Sequence, residues 1–402
     1  MRIALISYEY PPEIGKGGIA TYTEQLASNL TERGHDVEVF CGSHTRSGSE
    51  ENGFKVHRIL TENPVHFRTA VVDKFSERQE VEAFDVMESP EINANAIEIK
   101  KKFPGIPLLV KLHTPSFIIV HLNHNYVSFL KRLRFFLGGL RRGLFQFYSS
   151  YRNMQQDIDY QMTMHADLIV SPSKSLKNII VSKWKIAPTC IDVIPNIFTP
   201  SPNLLNYPIN KNSSKTILFI GKLNEHKGIV NLVKAIPAVI QRDPEVKFKF
   251  IGADGRSSII NDNMSVYIKA QLKGYESNCE LAGPLPYEFI AQELGKTEIC
   301  IFPSIWENFP YVCLEAMSAG CAVIGSKEGG MAEMLINDAG ILINPNSVND
   351  IVNAINFLVK HEFERHEFGK TARQKVLSEY ISEKIVPAIE KSYLNAIKNC
   401  QN

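Results

Sequence analysis

The chain has 402 residues, 44% of them apolar and 22% charged, with a formal net charge of +1. That length is enough for two ordinary cores, and the apolar share excludes wholesale disorder. The balanced charge names no partner, and no apolar run reaches the ~18 residues needed to cross a bilayer.

The opening MRIALISYEYPPE has one Arg and a very short apolar run before acids and prolines, so it reads as a first β-strand and not as a signal peptide. IATYTEQLASNLTERG follows with helical periodicity and stops at Gly34, a C-cap glycine. DVEVFC, FKVHRI, FDVMES, PLLVKLH, DLIVSP and IDVIPN are strand candidates. Strand and helix alternating at this spacing predict a parallel sheet covered by helices. From Ile99 to Gln156 there are ten Lys or Arg and no acid, so this stretch is locally basic. Within it, FLKRLRFFLGGLRRGLFQFYSSYR interleaves Lys131, Arg132, Arg134, Arg141 and Arg142 with Phe and Leu. That pattern suits contact with an anionic membrane or attraction of a phosphorylated acceptor, and equally a solvated helical face. Residues 197–215, rich in Pro, Asn and Ser, read as an interdomain linker.

The alternation then restarts: strand KTILFIG, a helix from about Ile229, strand VKFKFIG, a helix near 260–273, strand EICIFPS, the helix PYVCLEAMSAG, strands CAVIGS and GILIN, and helix from roughly Ser347 onward. The seven cysteines show no CxxC spacing, which predicts reduced thiols in a cytosolic protein and no metal or redox site.

Chemistry-bearing residues gather on the predicted strand-to-helix loops, the rim where open α/β sheets bind ligands. Glu307 and Asn308 follow EICIFPS, with Asn308 as a helix cap and Pro310 in the first turn. The free amides there attract an anion such as phosphate. Glu315 lies further along the helix and reaches a ligand that extends along its flank, such as a nucleotide-sugar whose ribose diol it would accept from. Gly15, Gly17 and Gly18 form a glycine loop ahead of a helix near Ile19. It matches neither GxGxxG nor the Walker pattern, so dinucleotide and ATP motifs are excluded. His113 ends PLLVKLH, where a neutral imidazole can hydrogen-bond a sugar hydroxyl.

FPSIWENFPYVCLEAMSAGCAVIGSKEGGMAEML resembles the donor-binding region of retaining glycosyltransferases of family 4, with the two glutamates of that signature at Glu307 and Glu315. ILFIGKLNEHKGI resembles the family's Gly-Arg and Lys-Gly segment, placing Gly221 and Lys222 at the first pair and Lys227 at the second. FKFIGADG resembles its next strand and turn. Lys222 departs from the usual Arg, so a bidentate clamp becomes a point charge. Phe309 and Tyr311 flank Pro310 where many members carry smaller residues.

The resemblance implies a GT-B fold, two Rossmann-like domains facing a central cleft. The expected division is 1–196 for acceptor, 197–381 for a nucleoside-diphosphate sugar, and 382–402 as a helix returning to the first domain. It implies a retaining, same-face transfer of a hexosyl group, from a UDP-sugar in preference to GDP-mannose, to a hydroxyl of a saccharide or lipid-linked acceptor. No metal or other cofactor and no nucleic acid is expected. Lys222 and Lys227 would neutralise the diphosphate, and Gly17, Gly18 and His113 would lie against donor and acceptor. Gly329, Gly330 and Glu333 are secondary candidates. The expected location is cytoplasmic, at the inner face of the membrane. A phosphorylase-like GT-B enzyme, a non-catalytic sugar-nucleotide-binding subunit and a lipid-binding scaffold are the competing readings.

Overall fold

Two sheets organise the chain in a computed structural model that describes residues 1–15, 17–51, 53–124, 129–143, 154–211 and 215–401. The first sheet has eight strands: β1 (Arg2–Ser7), β2 (Asp36–Ser43), β3 (Gly48–Glu51), β4 (Lys55–Leu60), β5 (Val86–Pro90), β6 (Leu108–Lys111), β7 (Leu168–Ser171) and β8 (Ile191–Val193). Their spatial order is β3-β4-β2-β1-β5-β6-β7-β8, and every pairing is parallel except β3 with β4. β1, β5, β6 and β7 are buried along their whole length, as expected of strands covered on both faces. The helix Gly18–Glu32 covers one face through Ala20, Tyr22, Thr23, Leu26, Ala27 and Leu30, a three- and four-residue spacing.

The second sheet has six parallel strands: β9 (Thr216–Ile220), β10 (Lys247–Ile251), β11 (Cys279–Gly283), β12 (Ile299–Phe302), β13 (Ala322–Ser326) and β14 (Ile341–Ile343), in the order β11-β10-β9-β12-β13-β14. Its core includes Ile217, Phe219, Phe248, Phe250, Ile299, Ile301 and Ile324 from the strands and Leu232, Val233, Ile236 and Val239 from the helix Ile229–Arg242. Both sheets are Rossmann-like. In each, one inner strand has a sequence-distant neighbour: β1 beside β5, and β9 beside β12. The carboxyl ends of these strands are where an open α/β sheet forms its ligand crevice.

Two compact units result. Unit 1 holds Met1–Ser116, Arg152–Thr199 and Glu379–Asn402; unit 2 holds Phe117–Tyr151 and Pro200–Ser378. The first passage from unit 1 to unit 2 therefore falls after Ser116. The later passage falls after Thr199 because Phe198 N–H donates to Tyr380 O (3.0 Å) and Thr199 N–H to Gln25 Oε1 (3.0 Å).

The passage after Thr199 lies within 197–215, the segment read as an interdomain linker, and the chain beyond it is packed. Pro202–Leu205 is helical with Leu204 buried, and the Lys211 ammonium donates to Leu294 O (2.9 Å) and Thr297 O (2.8 Å). These residues are packed parts of the units, and residues 212–214 lie outside the described ones. Ser382–Gln401 is a helix within unit 1, with Tyr393 fully buried and its hydroxyl donating to Glu88 Oε2 (2.7 Å).

Candidate active site

In unit 2 the crevice lies between the loops after β9 and β12. Asn224 shapes the first: its side chain accepts Lys227 N–H (3.1 Å) and so caps the short turn Glu225–Lys227. Gly228 ends that turn with φ +77°, and a Cβ there would sit 1.8 Å from Pro303 O. Only glycine allows the two loops to approach this closely. His226 O accepts Ile305 N–H (2.8 Å) and fastens one loop to the other.

The result is that Lys227 Nζ and Glu307 Oε1 are in direct hydrogen-bonded contact, their side chains 27% and 17% exposed and so reachable from solvent. Ser304 Oγ also donates to Glu307 Oε1 (3.3 Å). Glu307 is held from the far side as well. Its backbone bridges to Gly329, its carbonyl accepts Gly330 N–H (2.8 Å), and a Cβ on Gly329 (φ +84°) would meet Glu307 O at 2.0 Å. Lys222 is exposed, after Gly221, whose N–H donates to Ile251 O (2.9 Å). Burial, then Lys227 and more weakly Lys222, lower the His226 pKa, while Glu307 and Glu225 oppose them. His226 thus stands among all of these charges.

The helix after β12 runs Tyr311–Ser318, with Pro310 at its cap position and no side-chain cap hydrogen bond. Asn308 is therefore not the cap and Pro310 is not in the first turn. The backbone of Glu307 is committed to the Gly329–Gly330 loop, and the helix begins one residue beyond the proline. Phe309 and Tyr311 are buried. Glu315 is only 8% exposed, and burial alone pushes its carboxyl up to about 7, with no neighbouring charge or hydrogen bond offsetting it. Its charge is felt at Tyr287. Glu333 lies on the next short helix, Met331–Leu335, where its carbonyl accepts from Lys375.

In unit 1 Gly17 caps the helix Gly18–Glu32, one residue earlier than expected, and both glycines are exposed; Lys16 lies outside the described residues. His113 is buried just past β6, its ring edge-on to Tyr22 with centroids 5.3 Å apart. Burial, helped by Lys111, lowers its pKa to about 3, so the imidazole is neutral at physiological pH. Beneath it Lys111 donates to Ile194 O (2.7 Å), and Glu88 accepts from Tyr22 (2.8 Å) and Tyr393. Burial lowers the Lys111 pKa and raises that of Glu88, each opposing the other's shift.

The structure thus brings together Lys227, Glu307 and, through His226, Lys222. It sets Glu315 deeper along the helix, and it holds His113, Gly17 and Gly18 on the strand-end loops of unit 1. Asn224, Glu225 and His226 were not anticipated as site builders. The Asn-x-x-x-Gly spacing of NEHKG is a turn signal that points to the first. Glu225 accepts from Ser257 Oγ (3.0 Å), Ser258 N–H (2.6 Å) and Ser258 Oγ (3.0 Å), and so anchors the loop after β10 to the Lys227 turn. Among the described residues, no three His, Cys, Asp or Glu side chains form a metal-holding group.

Family sequence models cover nearly all of this architecture. "Glycosyltransferase Family 4" matches residues 16–201 and "Glycosyl transferases group 1" matches residues 207–375. The chain belongs to glycosyltransferase family 4. An uncharacterised glycosyltransferase of Methanocaldococcus jannaschii is 24% identical to it over 99% of each chain. Among solved structures, the sucrose-phosphate synthase of Thermosynechococcus elongatus superposes on this transferase with a TM-score of 0.75 at 18% identity, over 99% of this chain and 100% of that one. Anabaena HepE, in complex with UDP and glucose, gives 0.68 at 16% identity over 98% and 99%. At such identities the likeness shows the fold, and the fold is GT-B.

Proposed function

We propose that this transferase moves a hexosyl group from a UDP-sugar to a hydroxyl of a saccharide or lipid-linked acceptor, with retention at the anomeric carbon. The observation that carries the reading is the Lys227–Glu307 contact at the unit 2 switch point, beside a helix whose first turn has no side-chain cap. An ammonium has three donors. One is engaged by Glu307, and two remain for oxygens of a leaving diphosphate. Lys222 adds a second charge, and the first-turn amides of Tyr311–Ser318 add donors that favour an anion. Preorganised positive charge of this kind stabilises a departing phosphate without reorganising at the moment of reaction. Glu307, polarised by Lys227 and Ser304, accepts from sugar hydroxyls. Glu315, buried and with no side-chain hydrogen bond to it among the described residues, gains two hydrogen bonds from a ribose diol. The preference for uridine draws on the UDP and glucose bound by HepE.

Unit 2 is the donor unit in this reading, and unit 1, with the glycine loop and His113, is the acceptor unit. The leaving phosphate takes the acceptor proton on the same face, and the two lysines do the work of a divalent cation.

The protein acts at the inner face of an anionic membrane. On the helix Phe129–Leu140, Leu133, Phe135, Leu137 and Leu140 are exposed beside Arg134, Arg141 and Arg142. The side chains of Lys131 and Arg132, and residues 144–153, lie outside the described ones. Among the described residues no helix is long and apolar enough to span a membrane.

A thermal-shift panel of UDP-, GDP- and ADP-sugars tests the donor. A ligand at a hundred times its Kd stabilises by about 2.7 kcal/mol, so the UDP-sugars should raise Tm and the others should not. Turnover that EDTA abolishes and magnesium restores would defeat the metal-free mechanism.

A further inference from the structure

Two buried acids of unit 1 have no part in the chemistry above, yet both hold the loop that carries His113. Glu91, fully buried after β5, accepts the His113 backbone N–H through both oxygens, at 3.0 and 2.8 Å. Asp159, 1% exposed on the helix Ile158–Met164, accepts Ser116 N–H through Oδ2 (2.8 Å) and Asn93 N–H through Oδ1 (3.0 Å). Both ends of the 113–116 loop are thus tied to carboxyl groups that solvent does not reach.

The turn between them is itself constrained. Asn93 and Ala94 have φ of +61° and +48°, a left-handed backbone that non-glycine residues seldom adopt and that persists where surroundings over-determine it. Those surroundings are Arg68 Nε donating to Asn93 O (2.5 Å), Asp159 receiving Asn93 N–H, and Asn95 accepting Tyr8 N–H (2.5 Å) from the loop after β1. One turn therefore fixes the loops after β1 and β6 against each other.

We propose that Glu91 and Asp159 are positioning residues for His113, a pair of acids that sets the backbone, and so the imidazole, of a residue that binds a substrate hydroxyl. The inference rests on the reading of His113 given under the proposed function. Neither acid can touch a ligand, because neither is exposed; Glu91 acts through the peptide of His113, and Asp159 through those of Ser116 and Asn93. Burial and the neighbouring Asp159 push the Glu91 carboxyl up to about 8, against the backbone N–H groups it accepts. Glu91 is therefore neutral at pH 7, and a carboxamide is its closest mimic. The other titratable groups on the neighbouring elements are Glu88 on β5, Lys111 on β6, the neutral His113, Asp157 at the cap of Ile158–Met164, and Arg68.

The test uses the whole chain labelled with 15N-histidine, together with the variants Glu91→Gln, Glu91→Ala and Asp159→Asn. In the wild type the His113 amide resonance should titrate with a midpoint near pH 8 as its acceptor ionises, and in Glu91→Gln it should not move. In Glu91→Ala the kcat for transfer or for donor hydrolysis should fall about 10- to 100-fold, with the UDP-sugar thermal shift unchanged. Glu91→Gln should recover kcat to within about threefold. An amide that does not titrate, or a folded Glu91→Ala with wild-type kcat, overturns the proposal. Should Glu91→Ala not fold, a wild-type kcat and an unshifted His113 resonance in Asp159→Asn overturn it equally. A wild type that neither transfers nor hydrolyses any donor defeats the proposed function instead, and the amide titration still decides the brace.

Discussion

The strand-end loops of unit 1 and unit 2 solve opposite problems. In unit 2 the charged pair Lys227–Glu307 is left partly in solvent, at 27% and 17% exposure, and the shape around it comes from backbone against backbone at Gly228 and Gly329. In unit 1 the polar groups around His113 are sunk in the core, and their arrangement comes from hydrogen bonds of Glu88 with Tyr22 and Tyr393, of Glu91 with His113 N–H, and of Lys111 with Ile194 O. Accessible charges can exchange partners with an anionic ligand at small desolvation cost, whereas buried polar groups hold one geometry because any other leaves them unsatisfied. The loops of unit 2 thus offer accessible charge, and those of unit 1 offer rigidity.

The contrast is broken most severely at Gly228. Alanine there meets Pro303 O and a left-handed φ at once, and should cost unit 2 about 3 kcal/mol or more. A marked fall in Tm, with turnover lost in parallel, is the expected result. Glu307→Ala should lower turnover about 100-fold or more, about 2.7 kcal/mol on the barrier, with an unchanged circular dichroism spectrum. Near-normal turnover would remove Glu307 from the chemistry.

Glu315 sharpens the comparison by pH. Its carboxyl pKa is raised on folding, to about 7. The folded state therefore holds the proton more tightly, and this contribution is full at low pH and lost as pH rises through about 7. Between about pH 5 and about pH 8 the loss is on the order of 2 kcal/mol. Glu315→Gln should flatten that part of the Tm-against-pH curve, and a saturating UDP-sugar should shift it. Tyr393→Phe is the smallest change. It leaves Glu88 short of a donor and should cost about 1–2 kcal/mol, while the UDP-sugar thermal shift stays as in the wild type.

Much of the fold was legible because the strands are continuous apolar runs bounded by Gly and Pro; β1 spans Arg2–Ser7, the RIALIS run itself. β3 was not, since GSEE has no apolar alternation, and its place depends on Arg58 reaching Glu50 and on His57 meeting Ser49. The packing of Lys211, within the segment read as a linker, was hidden for a related reason. A lysine in a polar segment looks solvated, and nothing local reveals carbonyls of Leu294 and Thr297 waiting for it. Lys227 and Glu307 could be read from loop position and family likeness, and they meet. Glu91 and Asp159 could not, because an acid in the core and an acid in water are the same letter, and the partners of these two are peptide N–H groups distant in sequence.

One further consequence follows from the helix Ser382–Gln401. Tyr393 supplies a donor to Glu88, Ser392 meets Asp192 (3.4 Å) and Asn399 reaches Asp167 O (2.9 Å), so the half of the protein that emerges first from the ribosome is the last to be completed. Translation must run beyond residue 393, with unit 2 already made, before the hydroxyl that Glu88 awaits is available. A chain truncated after residue 378 should therefore carry a finished second unit and a first one that proteases still open.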